Sequence, residues 1–213
     1  HLSQVSELIH AFNSDMDIHA KTASDVFHVP IDKVTKDMRR QAKAVNFGIL
    51  YGISSFGLSE DLGISPKEAK EFINKYLETY PGIKDYMNKE IEQARELGYV
   101  KTIMNRKRLL PEIKDASYVI RSMGERMALN TPIQGSSADI LKKAMVEIDE
   151  EFTKRNLKST MLLQVHDELI FNCLISEKEI VTKVVTDIME NTYKFSVPLT
   201  VDVEFGTDWY DAK

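Results

Sequence analysis

Apolar residues recur every three to four positions along most of this chain, the period of an amphipathic α-helix. The pattern predicts helices over about 4–12, 18–27, 35–51, 66–79, 83–97, 115–130, 136–155 and 177–193. Boundary residues agree with several of these spans. Ser65-Pro66 reads as an N-cap followed by a first-turn proline, Pro81-Gly82 separates two helices, and Gly98 closes the next. Thr35 reads as an N-cap and Gly52 as the stop of the 35–51 span. Pro132 is expected to disturb helix between 130 and 136, because proline lacks the amide hydrogen and crowds the preceding turn.

Strand-like alternation is confined to three places. "MLLQVHDELIF" sets two apolar runs either side of His166-Asp167, a hairpin pattern, although His-Asp is not a favoured two-residue turn pair. "LTVDVEF" puts Leu199, Val201, Val203 and Phe205 on one face against Thr200, Asp202 and Glu204. "YVKTIMNRKRLL" reads as a small hairpin turning at Asn105-Arg106. The expected class is α+β, mostly helical with a small antiparallel sheet.

Composition narrows the setting. The chain's 213 residues suffice for one large domain or two modest ones. Its one cysteine, Cys173, excludes an internal disulfide and a cysteine-based zinc site, and fits a reducing, intracellular setting. No apolar run approaches the roughly 18 residues of a membrane span, and no signal peptide opens the chain. "HLSQVSELIHAFNS" already reads as amphipathic helix, so the chain is expected to begin mid-domain. A net charge of −5 argues against a nucleic-acid ligand, but the charge is segregated. Lys33 to Lys43 holds five cations and one acid, and Lys101 to Arg126 holds seven cations and three acids. Two basic zones thus stand ready for one anionic ligand.

In "RRQAKAVNFGILYG", Arg39, Lys43, Phe47 and Tyr51 recur four apart. Such residues rise about 6 Å per step and form a gently slanting row about 18 Å long. Cations occupy its N-terminal half, against the helix dipole, which favours acids there. A nucleoside triphosphate matches this polarity, with phosphates on Arg39 and Lys43 and the nucleoside near Phe47 and Tyr51. Gly48 and Gly52 are expected to let a base approach the backbone. A solvated helix face with a couple of core aromatics is the bland alternative, and it fits Arg39 and Lys43 taken alone better than all four together.

Two further sets carry chemistry. His166, Asp167 and Glu168 sit at the tip between two apolar runs, where adjacent carboxylates suit a cation such as Mg²⁺. A plain surface turn accounts for the same residues. Arg126, Asn130 and Gln134 in "RMALNTPIQGSSAD" repeat the four-residue spacing, with Gln134 expected at a bend after Pro132. Long donors in a row reach the minor-groove acceptors that every base pair presents; helix capping and interhelix hydrogen bonds are the alternative.

Taken together, these segments resemble the family A DNA polymerases of the bacterial DNA polymerase I type, over essentially the whole chain. "RRQAKAVNFGILYG" resembles the family's motif B and "QVHDE" its motif C; "DIHAKTA", "NTPIQGSSADI" and "DWYDA" follow in family order. The resemblance implies a partial right-hand polymerase fold, with residues 1–115 as fingers and 116–213 as the C-terminal part of the palm. His19, Arg39, Lys43, Phe47 and Tyr51 would bind the dNTP. Asp167 and Glu168 would bind metal and act with Lys43 in catalysis. Arg126, Asn130, Gln134 and His166 would touch primer–template DNA. Phe47, where some members carry tyrosine, implies discrimination against nucleotides lacking a 3′-hydroxyl.

The resemblance also implies two Mg²⁺ ions, the second held by a carboxylate of motif A. That motif is absent here and would lie just upstream of His1; the thumb and any exonuclease domain are also missing. The isolated chain is therefore expected to be inactive and open to self-association. A bacterial cytoplasmic, nucleoid-associated location follows from the resemblance. A single-subunit RNA polymerase and a non-catalytic nucleic-acid-binding module are the rival readings.

Overall fold

The computed structural model describes residues 1–212. They form two compact units, one of residues 1–135 and one from 136 onward. The first holds α1 (Ser6–Asn13), α2 (Ile18–Phe27), α3 (Lys36–Leu50), α4 (Ser55–Leu62), α5 (Pro66–Thr79) and α6 (Pro81–Leu97). After these come β1 (Tyr99–Lys101), β2 (Lys107–Leu109) and the start of α7 (Tyr118–Lys154).

Local chemistry explains most helix ends. At α5 the Glu68 amide donates to Ser65 Oγ at 3.2 Å, and the Ser65 amide donates to the Glu68 carboxylate at 2.9 Å. This reciprocal box satisfies two amides that would otherwise lack partners. Thr35 caps α3 by accepting the Met38 amide at 3.2 Å. Helix α4 is missing from the sequence-based expectation. Its eight residues include a glycine and two serines, too short and too weak in propensity to stand alone. Burial of Leu58 and Leu62 and a left-handed Gly63 at its end secure it.

The core of this unit gathers Val26, Val45, Ile49, Leu58, Phe72, Tyr76 and Tyr80. Each fully buried aliphatic side chain there contributes about 1.5–3 kcal/mol. Tyr80 is buried, yet its hydroxyl donates to Asp25 at 2.8 Å and so keeps a partner. The expected small hairpin forms, with Tyr99 opposite Leu109 and Asn105 at φ +62° in the turn.

Helix α7 corrects the expected break at Pro132: one 37-residue helix replaces the two expected. Proline removes one hydrogen bond from the ladder, and the turns on both sides remain helical. Pro132 itself is buried, with Ala128, Leu129 and Thr131 buried around it.

In the second unit the rest of α7 is joined by β3 (Thr160–Val165), β4 (Glu168–Asn172) and α8 (Lys178–Asn191). Strands β3 and β4 pair antiparallel, Val165 opposite Glu168, with Leu162 bulged between Met161 and Leu163. Ile148, Phe152, Val181, Val184 and Val185 form the core beneath one face of this hairpin, with Met161, Leu169 and Phe171 packed on it.

The expected strand over 199–205 is not formed. Its apolar alternation is real, but a strand exists through backbone pairing, and no strand among the described residues pairs with it. Val203 and Phe205 are correspondingly exposed.

Candidate functional site

Helix α3 buries Ala42, Val45, Gly48 and Ile49 against its own unit. Arg39, Lys43 and Phe47 consequently stand on its exposed side, and Tyr51, also exposed, caps its C-terminus. The four-residue row is therefore present as a surface feature, with Phe47 46% exposed despite its size. Ala42 and Val45, not the rings, anchor the helix, which removes the reading of Phe47 as a core aromatic.

Helix α2 lies along α3 and adds His19 to this face. The His19 and Phe47 ring centroids are 5.7 Å apart, tilted by 47°. Two residues that the sequence reading left out organise the cluster. Asp17 caps α2, accepting the His19 and Ala20 amides at 2.9 and 3.1 Å. Its other oxygen accepts Arg39 Nε–H at 2.6 Å, leaving both terminal guanidinium nitrogens outside this bond. Asn46, one position before Phe47, places its carboxamide nitrogen 3.0 Å from His19 Nδ1. An aspartate just before a helix is a recognisable cap signal; the bond to Arg39 leaves no local trace.

Electrostatics follow the geometry. Partial burial tends to raise the Asp17 carboxyl, but the bonds from Arg39 and the two amides outweigh it and hold the carboxyl below its ordinary value. Burial, then the positive charge of Arg39 and Lys43, lowers His19, with Asp17 opposing. The face thus presents two basic side chains beside an imidazole pushed toward its neutral form. Lys43 makes no ion pair among the described residues.

Gly48 and Gly52, expected from sequence to let a base approach the backbone, instead face the protein's own side chains. A side chain at Gly48 would meet Ile53 Cγ2 at 2.7 Å, so this glycine admits the following chain against α3. Gly52 has φ +68°, which ends the helix, and a side chain there would meet Arg126 Cγ at 3.1 Å. Gly52 therefore brings the end of α3 against α7.

Because α7 continues through Pro132, Arg126, Asn130 and Gln134 lie on one helix at four-residue spacing. Arg126 and Gln134 are exposed, while Asn130 Oδ1 is buried without a hydrogen-bond partner. An unsatisfied buried acceptor costs about 1–3 kcal/mol.

The acidic tip belongs to the second unit. His166 takes φ +53°, the left-handed conformation demanded at the first turn position, and Gln164 Nε2 donates to its carbonyl at 2.9 Å. His166, Asp167 and Glu168 are all exposed. No cluster of three or more metal-ligating side chains occurs among the described residues. Two adjacent, exposed carboxylates nevertheless fit Mg²⁺, which takes one or two carboxylates and completes its shell with water and phosphate oxygens. A groove of about 600 Å³ between α7 and α8, lined by Glu150, Lys154, Ile180 and Asp187, contains none of the candidate residues. No helix among the described residues is long and apolar enough to cross a membrane.

The sequence profile of DNA polymerase family A matches residues 1–211. DNA polymerase I of Bacillus subtilis (strain 168) is 54% identical over 213 residues, covering 100% of this chain and 24% of that protein. DNA polymerase I of Caldicellulosiruptor bescii is 50% identical, again over all of this chain and 25% of its own length. One similar solved structure is the POL domain of Pol1 from M. smegmatis in complex with DNA primer-template and dNTP. It is 43% identical with a TM-score of 0.94, and the match covers 100% of this chain and 37% of that one. The chain thus spans about a quarter of the length of the curated relatives it matches.

Proposed function

We propose, since this chain belongs to DNA polymerase family A, that it carries the dNTP-gripping face and part of the metal-binding edge of a template-directed DNA polymerase. The reaction is attack of a primer 3′-hydroxyl on the dNTP α-phosphate, with release of pyrophosphate. The observation that carries this reading is the exposed row Arg39, Lys43, Phe47 and Tyr51, with His19 packed against Phe47.

Arg39 and Lys43 bind and orient the triphosphate through charge-assisted hydrogen bonds, and His19 adds a third donor. Lys43 also balances negative charge that develops on the phosphates during transfer. Phe47 and Tyr51 supply apolar surface to the nucleoside. Arg126, Asn130, Gln134 and His166 contact primer–template DNA. Asp167 and Glu168 would hold Mg²⁺, which when bound supplies charge neutralisation and orientation for phosphoryl transfer. In the right-hand description, residues 1–115 are fingers and 116–213 the C-terminal part of the palm. The same reading puts the parent protein's work in the bacterial cytoplasm, at the nucleoid.

Amine labelling tests the face directly. With millimolar dNTP, Lys43 is expected to be protected from reagent while the exposed Lys142 is not. Equal labelling of both lysines with and without dNTP would sink the reading. The isolated 213-residue chain is not expected to extend a primer, since of the two metal-binding carboxylate sites that the resemblance calls for it carries only the one at Asp167 and Glu168. Extension at the rate of a complete polymerase would overturn that part. Exposed Leu162, Leu163 and Ile175 around an unpaired two-stranded hairpin support self-association. Light scattering that stays monomeric at high concentration would remove that proposal.

A further inference from the structure

Asn46 lies between two residues of α2. Its carboxamide nitrogen is 3.0 Å from His19 Nδ1. On its other side Thr22 Oγ1 lies 3.2 Å from Asn46 Oδ1 and 3.1 Å from Nδ2. Thr22 is completely buried and His19 sits three residues before it on the same helix. The carboxamide is thus held by a buried hydroxyl, and its nitrogen lies within hydrogen-bond distance of the imidazole.

We propose that Asn46 is a positioning residue that fixes the tautomer of His19: by donating to Nδ1 it keeps the ring's hydrogen on Nε2, where it serves as the donor to a triphosphate oxygen. A neutral imidazole carries one hydrogen. If Nδ1 accepts, Nε2 must donate, and Nε2 is the only ring nitrogen left for a ligand. With the opposite tautomer Nε2 would be a lone pair facing phosphate oxygen, a repulsive arrangement. The groups that bear on the ring's charge are Asp17 on α2 and Arg39 and Lys43 on α3; the two cations and partial burial favour the neutral form over Asp17's opposing pull. Charge on this face therefore comes from Arg39 and Lys43, and His19 contributes direction. The ligand in this proposal rests on the dNTP reading above; the tautomer does not.

The test is a long-range ¹H–¹⁵N correlation spectrum of the ¹⁵N-labelled 213-residue chain, without nucleotide. His19 is expected to show the Nε2–H pattern and to titrate below 6.5, its ordinary value. Asn46→Asp replaces the donor with an acceptor, so the hydrogen is expected to move to Nδ1 and the titration to shift upward. Asn46→Ala is expected to give a mixture of tautomers. An Nδ1–H ring in the unmodified chain overturns the proposal, as does an Nε2–H ring unaffected by both substitutions. Should one variant fail to fold, the other, compared with the unmodified chain, decides. With dATP, Asn46→Ala is expected to weaken binding about five- to tenfold, the value of one hydrogen bond, with Lys43 protection retained. Absence of dATP binding by the unmodified chain would instead defeat the nucleotide reading and leave the tautomer result standing.

Discussion

Arg39 donates its Nε–H to Asp17 at 2.6 Å, and the same carboxylate caps α2 through the His19 and Ala20 amides. One aspartate therefore sets both the start of α2 and the posture of the first cation in the α3 row. The two roles separate by substitution. Asp17→Asn keeps a capping side chain and loses the ion pair, which at about half exposure is worth under about 0.5 kcal/mol. Asp17→Ala loses both and is expected to cost about 1 kcal/mol. Urea denaturation of the two variants measures the difference; equal losses would mean that the cap contributes nothing.

Gly48 bears on packing rather than on ligand approach. Its absent side chain leaves room for Ile53 Cγ2, which a Cβ would approach to 2.7 Å. Gly48→Ala is expected to destabilise the first unit by about 1–3 kcal/mol through overpacking. A pair substitution, Gly48→Ala with Ile53→Val, is expected to recover part of that loss. Thermal melts showing Gly48→Ala at or above the unmodified stability would refute this account.

Glu177 ties the chain leaving α7 to the start of α8. It accepts the Ser159 hydroxyl at 2.6 Å and the Ser159 and Lys158 amides at 2.7 and 2.9 Å. The hydroxyl bond first, then the amide bonds, hold its carboxyl below the ordinary value of 4.5. A carboxyl lowered on folding stabilises fully above its unfolded value, and that contribution disappears as pH falls through the folded value. Glu177→Gln is expected to lower the melting temperature at pH 7 and to leave a smaller gap from the unmodified protein below pH 4. A gap independent of pH would exclude the charged form as the source.

The hairpin tip is open to a paramagnetic test. Mn²⁺, a stand-in for Mg²⁺ at oxygen sites, is expected to broaden the amide signals of residues 164–169 selectively. Asp167→Asn and Glu168→Gln are each expected to weaken that effect, and the double variant to abolish it. Broadening that survives in the double variant would place the ion elsewhere.

Spacing along the backbone was enough to read the α3 row, the α5 cap and the β3–β4 turn. Residues four apart share a helix face by geometry, and alternation about a two-residue turn specifies a hairpin. Family membership was readable for the same reason, since the motifs that carry the resemblance are short and local. Other features depended on partners distant in the chain. Asn46 meets His19 and Asp17 meets Arg39 across 27 and 22 positions, and Gly52 meets Arg126 only once α3 and α7 have packed. Pro132 stays within a helix because the turns around it are buried, and 199–205 forms no strand because apolar alternation needs a pairing neighbour. Sequence alone determined which residues could share a face. The tertiary structure decided which of them meet, because a hydrogen bond or a backbone pair forms only where packing delivers both partners.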